Sequence, residues 1–410
     1  MEKYFTATGE KVRNYIHDEL AFSILSKLPL KSLKRFRCVR KSWTLLFENH
    51  HFMSTFCKNL ISNHHYYYGD VSLLLQIGDR DLLSLSSDRY ENMVKLDWPN
   101  PFQEEDPWFC ILDSGSITGI LCLYNRNNRN NERTVFWNPA TKEFKVIPPS
   151  PLEAVPTYQG FGTVLHGFGY DHARDDYKLI RYLYYFLPSS RDFEDLGISL
   201  QDVPWGDISN DSFWEIYSLR SNSWKKLDIN MYLGDIRCSF SGFDCVKSQR
   251  LYLDGRCHWW HLIDHPDAKR ALASFDLVNE VFFTTLIPLD PPLDVDDIFS
   301  VFSRPLYLVA LSGSIALILW DFGTPTFDIY VLGEVGVKES WTKLFTIGPL
   351  ACIQRPIGVG SKGVFFIKED GEIVWFNWNS QMTEDLGIKE NTLNFSHVLL
   401  YKENFLLMGG

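Results

Sequence analysis

The sequence has no apolar run long enough to cross a membrane. The longest, LYLVALSGSIALILW at 306–320, falls short of the roughly 20 residues that a transmembrane helix needs. The Ser-Gly-Ser at 312–314 divides it into two short runs, which predicts a buried β-hairpin. The first residues, MEKYFTATGEKVRNYI, lack the apolar segment of a secretory signal. We therefore expect no membrane partner, and a location in the cytoplasm, the nucleus or both.

Paired cysteines and catalytic motifs are also missing. The eight cysteines never occur as C-x-x-C, so we expect free, mostly buried thiols in a reducing compartment. There is no G-x-S-x-G elbow, H-E-x-x-H motif or P-loop. GVGSKG at 358–363 matches a dinucleotide-binding fingerprint, but a strand pattern follows where that fingerprint needs a helix, which predicts a turn. We predict no catalytic residues, no cofactor and no enzymatic activity.

One short segment, CHWWH at 257–261, carries residue types that bind metals. In a strand, Cys257 and His261 would lie roughly 13 Å apart, too far to share one zinc ion. The surrounding LYLDGRCHWWHLI instead predicts two strands joined by a glycine turn, with Trp259 in the core. We predict no metal site.

Charge is distributed unevenly along the chain. The net charge is -11, yet residues 1–60 carry eleven Lys and Arg against five Asp and Glu. A change of sign of this kind indicates two modules with different partners. The acidic remainder would repel phosphates, so we predict no nucleic-acid partner.

Residues 15–57 have the spacing of short helices. Leu20, Ile24, Leu25 and Leu28 follow one helical face, and Ser32 and Ser42 are candidate caps of a second and a third helix. Three such helices cannot bury all of their apolar residues among themselves. Exposed apolar surface of this kind marks a protein interface, and its basic rim suits an acidic partner. The residues predicted to bind this partner are Leu20, Ile24, Leu25, Leu28, Pro29, Leu33, Phe36, Val39, Trp43 and Leu46.

After residue 70, short apolar runs alternate with turn residues, as in an antiparallel β domain. A strand–turn–strand pattern recurs with its turns near residues 87, 140, 221, 278, 335 and 380, at spacings of 45 to 81 residues. Periods of this size favour a six-bladed β-propeller over the alternative, an irregular β-sandwich. The longest spacing contains residues 187–212, which we interpret as an inserted loop.

Three loops of this domain are acidic, at 100–108, 187–212 and 288–299. They form either a solvated rim or a surface that attracts a basic target protein. The residues predicted to bind that target are Glu104, Glu105, Asp106, Asp192, Glu194, Asp195, Asp294, Asp296 and Asp297.

The N-terminal motifs resemble the F-box of plant proteins. The matching residues are Asp18-Glu19-Leu20, Ile24-Leu25, Leu28-Pro29, Lys31-Ser32-Leu33, Arg35-Phe36-Arg37-Cys38-Val39 and Lys41-Ser42-Trp43. The sequence departs from the family at Ile16, His17 and Lys34, where the family has leucine, proline and usually an aliphatic residue.

The remaining chain resembles the F-box-associated interaction domain of plant F-box proteins, including S-locus and F-box/kelch-repeat members. The similar segments, in the family's order, are GSITGILCLY, FWNPATKEFKVIPP, GFGYDHARDDYKLI, IYSLRSNSWKKLD, DGRCHWW and LSGSIALI. The double glycine of true kelch repeats is missing.

The resemblance implies an α plus all-β protein: a tail at 1–14, a small three-helix F-box at 15–58, a linker at 59–70, and a kelch-like six-bladed propeller at 71–410 that binds substrate. It also implies the substrate-recognition subunit of an SCF-type ubiquitin ligase. The F-box would bind a Skp-family adaptor and, through it, a cullin, and the β domain would hold a target protein for ubiquitination and proteasomal degradation. The alternatives are an F-box protein that works outside the ligase and a propeller enzyme.

Overall fold

The structure is a computed structural model and falls into two compact units, residues 1–62 and 63–410. The residues that it describes are 17–28, 32, 36, 39–45, 49, 51–52, 55–56, 59, 72–77, 81–86, 90–102, 109–125, 133–153, 156, 158–186, 203, 212–228, 250–263, 269–287, 306–320, 324–360, 362–390 and 396–405.

Two helices of the first unit have defined bounds, α1 (Asp18–Leu25) and α2 (Lys41–Thr44). The predicted capping role of Ser42 is wrong, because α2 already begins at Lys41, and the extended residue before it, Arg40, occupies the N-cap. Ser42 therefore lies inside the helix. The expected second helix falls largely outside the described residues.

Aromatic side chains form the interior of this unit. Phe52 and Phe56 are buried, and the Phe22 ring meets Phe52 edge-on with 5.1 Å between ring centroids. The side-chain amide of Asn59 donates to the carbonyl oxygen of Ser26 at 3.0 Å and to its hydroxyl at 3.1 Å. These contacts tie the end of α1 to residues more than 30 positions away.

The described part of the second unit forms six four-stranded sheets, and all neighbouring strands are antiparallel. They are the blades of a six-bladed β-propeller. Blade 1 comprises β1 (Ser72–Ile77), β2 (Asp81–Ser86), β3 (Asn92–Leu96) and β24 (His397–Tyr401); blade 2 comprises β4 (Phe109–Ile111), β5 (Leu121–Asn125), β6 (Thr134–Asn138) and β7 (Glu143–Val146); blade 3 comprises β8 (Gly160–Asp171), β9 (Asp176–Phe186), β10 (Phe213–Ser218) and β11 (Ser223–Leu227).

The other three blades have the same order. Blade 4 comprises β12 (Arg250–Leu253), β13 (Arg256–Ile263), β14 (Lys269–Asp276) and β15 (Val281–Leu286); blade 5 comprises β16 (Leu306–Leu311), β17 (Ser314–Trp320), β18 (Phe327–Leu332) and β19 (Trp341–Ile347); blade 6 comprises β20 (Ile353–Gly360), β21 (Gly363–Lys368), β22 (Glu372–Asn377) and β23 (Thr383–Lys389). The inner strands contact one another from blade to blade, as β8 does β12 and β20 does β24. Six sheets of this kind exclude the β-sandwich alternative.

All six hairpins predicted from the sequence are the third and fourth strands of a blade. The third strand is buried on both faces, as in β6, whereas the outer β7 alternates between half-buried and exposed positions. In blades 2, 4 and 6 an Asx side chain sets the turn between them: Asn138, Asp276 and Asn377 each accept backbone N–H groups two and three residues ahead. This shared turn explains why the hairpins repeat visibly in the sequence.

The ring closes through strands from the two ends of the second unit. Strand β24 pairs with β1, so that Leu400 lies opposite Leu73. Beyond β24, the Asn404 side chain donates to the Thr118 carbonyl at 2.7 Å, and Asn138 donates to the Asn404 carbonyl at 2.8 Å. Residues from the end of blade 1 are thereby fastened to blade 2.

Several local sequence predictions are confirmed. Ser-Gly-Ser at 312–314 joins β16 to β17, the glycine turn at 254–255 joins β12 to β13, and GVGSKG joins β20 to β21. Residues 187–212 separate β9 from β10, inside blade 3. Among the described cysteines all four are free, and three of them are buried.

Candidate protein-docking surfaces

The exposed face of α1 carries two of the residues predicted to bind the adaptor. Leu20 is 56% exposed and Ile24 is 48% exposed, one helical turn apart, so that they lie on the same face. Leu25 is buried instead, as is Ala21. The apolar residues of α1 therefore divide into an outward face and an inward face, rather than forming the single face that the spacing indicated.

Exposed apolar side chains also occur after α1 in the chain. Phe36 and Val39 are exposed, and Trp43 is half-buried with its ring 5.9 Å from that of Phe36 in an edge-on contact. Leu45 is also exposed, although it is not among the predicted residues. The sequence has two adjacent leucines here, of which only Leu46 was predicted to bind.

Other predicted adaptor-binding residues remain predictions. Leu28 is half-buried just after α1, whereas Pro29, Leu33 and Leu46 lie outside the described residues. His17, which replaces the family's proline, occupies the N-cap of α1 in an extended conformation, and its side chain makes no capping hydrogen bond. The helix start is held by the backbone instead, where Ala21 N donates to His17 O at 2.9 Å. The name "α1 surface" is used below for Leu20, Ile24, Phe36, Val39 and Leu45.

The three acidic loops begin and end at the same end of the propeller. Because strands alternate in direction, connections from a second to a third strand, and from a fourth strand to the next blade, meet at one end. The acidic loops are of these two kinds: one joins β3 to β4, one joins β9 to β10, and one joins β15 to β16. The predicted target-binding residues lie outside the described residues: Glu104, Glu105, Asp106, Asp192, Glu194, Asp195, Asp294, Asp296 and Asp297.

The aromatic segment around CHWWH belongs to the core of the propeller. Trp259 is fully buried, and burial raises the pKa of the Cys257 thiol. Burial also lowers the pKa of His258 to about 3, and this ring bonds the Ser274 hydroxyl at 2.8 Å. Among the described residues no group of three or more His, Cys, Asp or Glu side chains could hold a metal ion. No helix of the described part is long and apolar enough to span a bilayer.

The sequence of the second unit matches a known family. Residues 115–402 fit the family described as "F-box associated beta propeller domain". The chain belongs to the F-box-associated β-propeller family. This confirms the resemblance to plant F-box proteins that carry an F-box-associated domain.

Relatives of this F-box-associated protein extend over most of its length. It is 24% identical over 400 residues to F-box protein CPR1 of Arabidopsis thaliana, an alignment that covers 93% of this chain and 86% of the relative. It is also 24% identical over 338 residues to F-box/WD-40 repeat-containing protein 1 of the same plant, covering 80% and 68%.

Solved structures give only distant likenesses. TolB from Acinetobacter baumannii is 8% identical, with a TM-score of 0.43, and the alignment covers 86% of this chain and 73% of that one. At this TM-score the likeness carries no argument about the F-box-associated protein.

Proposed function

We propose that this chain is the substrate-recognition subunit of an SCF-type ubiquitin ligase. The F-box, residues 15–58, folds as three helices and binds a Skp-family adaptor, which connects it to a cullin. The domain at 71–410, a kelch-like propeller, holds the target protein for ubiquitination and proteasomal degradation. The linker at 59–70 joins the two, the tail at 1–14 precedes the F-box, and the protein acts in the cytoplasm, the nucleus or both.

The observation that carries the proposal is the α1 surface. Exposed leucine, isoleucine and phenylalanine side chains in a unit this small form an apolar patch of the kind that a protein partner covers. The many basic residues between 27 and 41 would surround that patch with positive charge, which favours an acidic adaptor. The patch lies in the segment that resembles an F-box, and relatives that span both units are named F-box proteins.

In this function the chain performs no chemistry of its own. A ligase receptor acts by holding the target close to a charged ubiquitin carrier, which raises the effective concentration of the target's lysines. Such a receptor needs two binding surfaces and no catalytic group. The second surface is the end of the propeller where the three acidic loops meet, and its charge favours a basic target.

The test is adaptor binding by the full-length chain and by one variant of the α1 surface. Ile24→Asp places a carboxylate in the proposed interface, where burial without a partner costs several kcal/mol. We expect the affinity for a purified Skp-family adaptor, measured by calorimetry, to fall at least about 100-fold.

The matched control is Met382→Asp, which introduces the same carboxylate at an apolar residue that is 66% exposed in the β22–β23 turn of the propeller. It should bind the adaptor like the unchanged chain. Equal binding by the Ile24 variant would refute the placement of the interface. Absence of binding by the folded, unchanged chain would instead identify an F-box protein that works outside the ligase.

Target binding has its own test. If the acidic loops attract a basic target, the affinity for the target should decrease steeply as salt is raised, because charges more than a Debye length apart are screened. An affinity that does not change with salt would contradict this choice of target.

A further inference from the structure

A buried histidine lies between blades 3 and 4, where neither the docking surfaces nor the ligase function requires one. His166 is on the inner strand β8 at a β-bulge, a register shift between Leu165 and Gly167. A bulge redirects a side chain relative to a regular strand, and bulges are frequent beside functional sites. Here the imidazole ring lies between two indoles, 4.8 Å from Trp214 of blade 3 and 4.9 Å from Trp259 of blade 4.

The two blades approach each other closely beside this ring. A Cβ atom on Gly167 would lie 2.4 Å from the Cβ of Cys257, a distance that real Cβ atoms do not adopt. The indoles themselves are 5.5 Å apart, and Phe282 closes the cluster at 5.0 Å from Trp214. His166 is therefore held in a fixed position, with an exposed fraction of 5%.

Three side chains at this position have polar atoms without a hydrogen-bond partner within the described part of the chain. Neither ring nitrogen of His166 has a hydrogen-bond partner among the residues that the structure describes. The same holds, within that part of the chain, for Nε of Arg250 and for Nε1 of Trp259. A buried polar group without a partner costs about 1–3 kcal/mol, so several in one place indicate that another molecule satisfies them.

His166 on one side, and Arg250 and Trp259 on the other, lie on facing surfaces of the two blades. Arg250 and Trp259 are directly opposite each other in the β12–β13 ladder, so their side chains project from the same side of blade 4. His261, two residues after Trp259, projects from that side too. Trp259 contacts His166 and Trp214, which shows that this side faces blade 3.

The electrostatic surroundings are cationic. Burial lowers the pKa of His166 well below its usual value, and the charges of Arg250 and His261 lower it further. The buried carboxylate of Glu215 on β10 is already engaged, because it accepts Arg181 Nε at 2.7 Å and the Ser150 hydroxyl at 2.8 Å. The cluster thus combines hydrogen-bond donors with positive charge, and a compensating acceptor is what it lacks.

We propose that the polar cluster of His166, Arg250 and Trp259, between blades 3 and 4, binds the oxyanion group of a small molecule, either a carboxylate or a phosphate. The oxygens would accept hydrogen bonds from Arg250, from the Trp259 indole and from the protonated nitrogen of the neutral His166 ring. The indole walls would exclude water and strengthen these bonds. A ligand held in this way contacts both blades and stabilises their interface.

The test uses the full-length chain with inorganic phosphate and malonate as probes, in chloride buffer of constant ionic strength. We expect saturable binding of one of the two probes by calorimetry, at one site per chain, and a melting temperature that rises with its concentration. Which probe binds distinguishes a phosphate ligand from a carboxylate ligand.

Two variants and one control locate the site. His166→Phe preserves the aromatic stack without the nitrogens, and Arg250→Met removes the charge while keeping an unbranched side chain. Each should weaken probe binding at least tenfold. Lys389→Met, an exposed cation on β23 of blade 6, should leave probe binding unchanged.

Two results would overturn the proposal. One is no saturable binding of either probe at millimolar concentration, which would mean that only water contacts the cluster. The other is equal binding by all variants, which would mean a general salt effect. If a variant does not fold, titration of the unchanged chain with the probe that binds, followed by NMR of that probe, still tests whether a single saturable site exists. Adaptor binding should be the same with and without the probe, so that this outcome is independent of the ligase function.

Discussion

Two blade interfaces of the same propeller have very different interiors. Between blades 6 and 1, Tyr90 meets Trp375 and Phe365 edge-on, and the surrounding buried residues are leucine, isoleucine and valine. Between blades 3 and 4, buried charges and a histidine accompany the aromatic residues. Lys178 bonds Asp171 at 2.8 Å within its own blade, and across the interface it donates to the Leu277 carbonyl at 2.8 Å.

The comparison separates what the fold requires from what is particular to one position. Both interfaces must bury a wide apolar surface, since a four-stranded blade cannot shield both of its faces alone. The interface between blades 3 and 4 adds ionisable groups to its aromatic core, and such groups cost free energy when they are desolvated. Its stability should therefore depend on pH and on bound ions more strongly than that of the interface between blades 6 and 1.

The largest expected effect is common to both interfaces. Trp259→Ala and Trp375→Ala each remove a buried indole, and we expect each to lower the free energy of unfolding by about 3–5 kcal/mol. Urea denaturation at neutral pH measures both. A Trp259 variant as stable as the unchanged chain would mean that the CHWWH segment is not core, and that the two interfaces differ in packing as well as in charge.

A smaller effect should appear at the charged interface alone. Lys178→Met leaves the buried Asp171 carboxylate with one cationic partner fewer. We expect this change to lower the free energy of unfolding by about 3 kcal/mol. The control is Lys225→Met. Lys178 and Lys225 both form an ion pair with Glu280, but the side chain of Lys225 is 67% exposed, against 5% for Lys178. An exposed pair contributes at most about 1 kcal/mol. If urea denaturation gives the same decrease in unfolding free energy for both variants, burial does not determine how much each lysine contributes to stability.

The smallest effect is a dependence on pH. The pKa of His166 is lower in the folded chain than in the unfolded chain, so the unfolded chain binds more protons below about pH 6.5. Stability should be fully present above that pH and should decrease as pH falls, by up to about 1.4 kcal/mol per pH unit from this residue. The pKa of His258 is also lowered, to about 3, so this residue likewise decreases stability as pH falls.

The measurement is urea denaturation between pH 7.5 and 5.5 in phosphate-free buffer. His166→Phe should reduce the slope of the unfolding free energy against pH by the equivalent of about one proton. The contribution of His258 to this slope should remain. An unchanged slope in this variant would mean that His166 gains a proton in the folded chain as readily as in the unfolded one.

The hairpins were predictable because their information is local. Asn138 sets its turn through backbone groups two and three residues ahead, and Asp276 and Asn377 repeat that chemistry in blades 4 and 6. The inner strand β4 was not predicted, because it is only three residues long and its place is defined by the ring. The pairing of β24 with β1 leaves no local signal either, since Leu400 and Leu73 are more than 300 residues apart.

The docking residues show the same limit on a smaller scale. Helical spacing identified Leu20, Ile24 and Leu25 as apolar positions, but it could not say which of them a neighbouring segment covers. Phe52 and Phe56 fill the interior of the unit, and Leu25 is buried while Ile24 is not. His166 gave no signal at all, because a register shift that redirects one side chain leaves no periodic pattern in the sequence.

The closure of the ring has a consequence for how the protein is made. During synthesis, blade 1 has three of its strands as soon as residue 96 has left the ribosome, but its inner strand is made only when residues 397–401 emerge. Throughout that interval the edge of β1 offers unpaired backbone groups to any other extended chain. The growing polypeptide should therefore need a chaperone to cover that edge until its own last strand arrives.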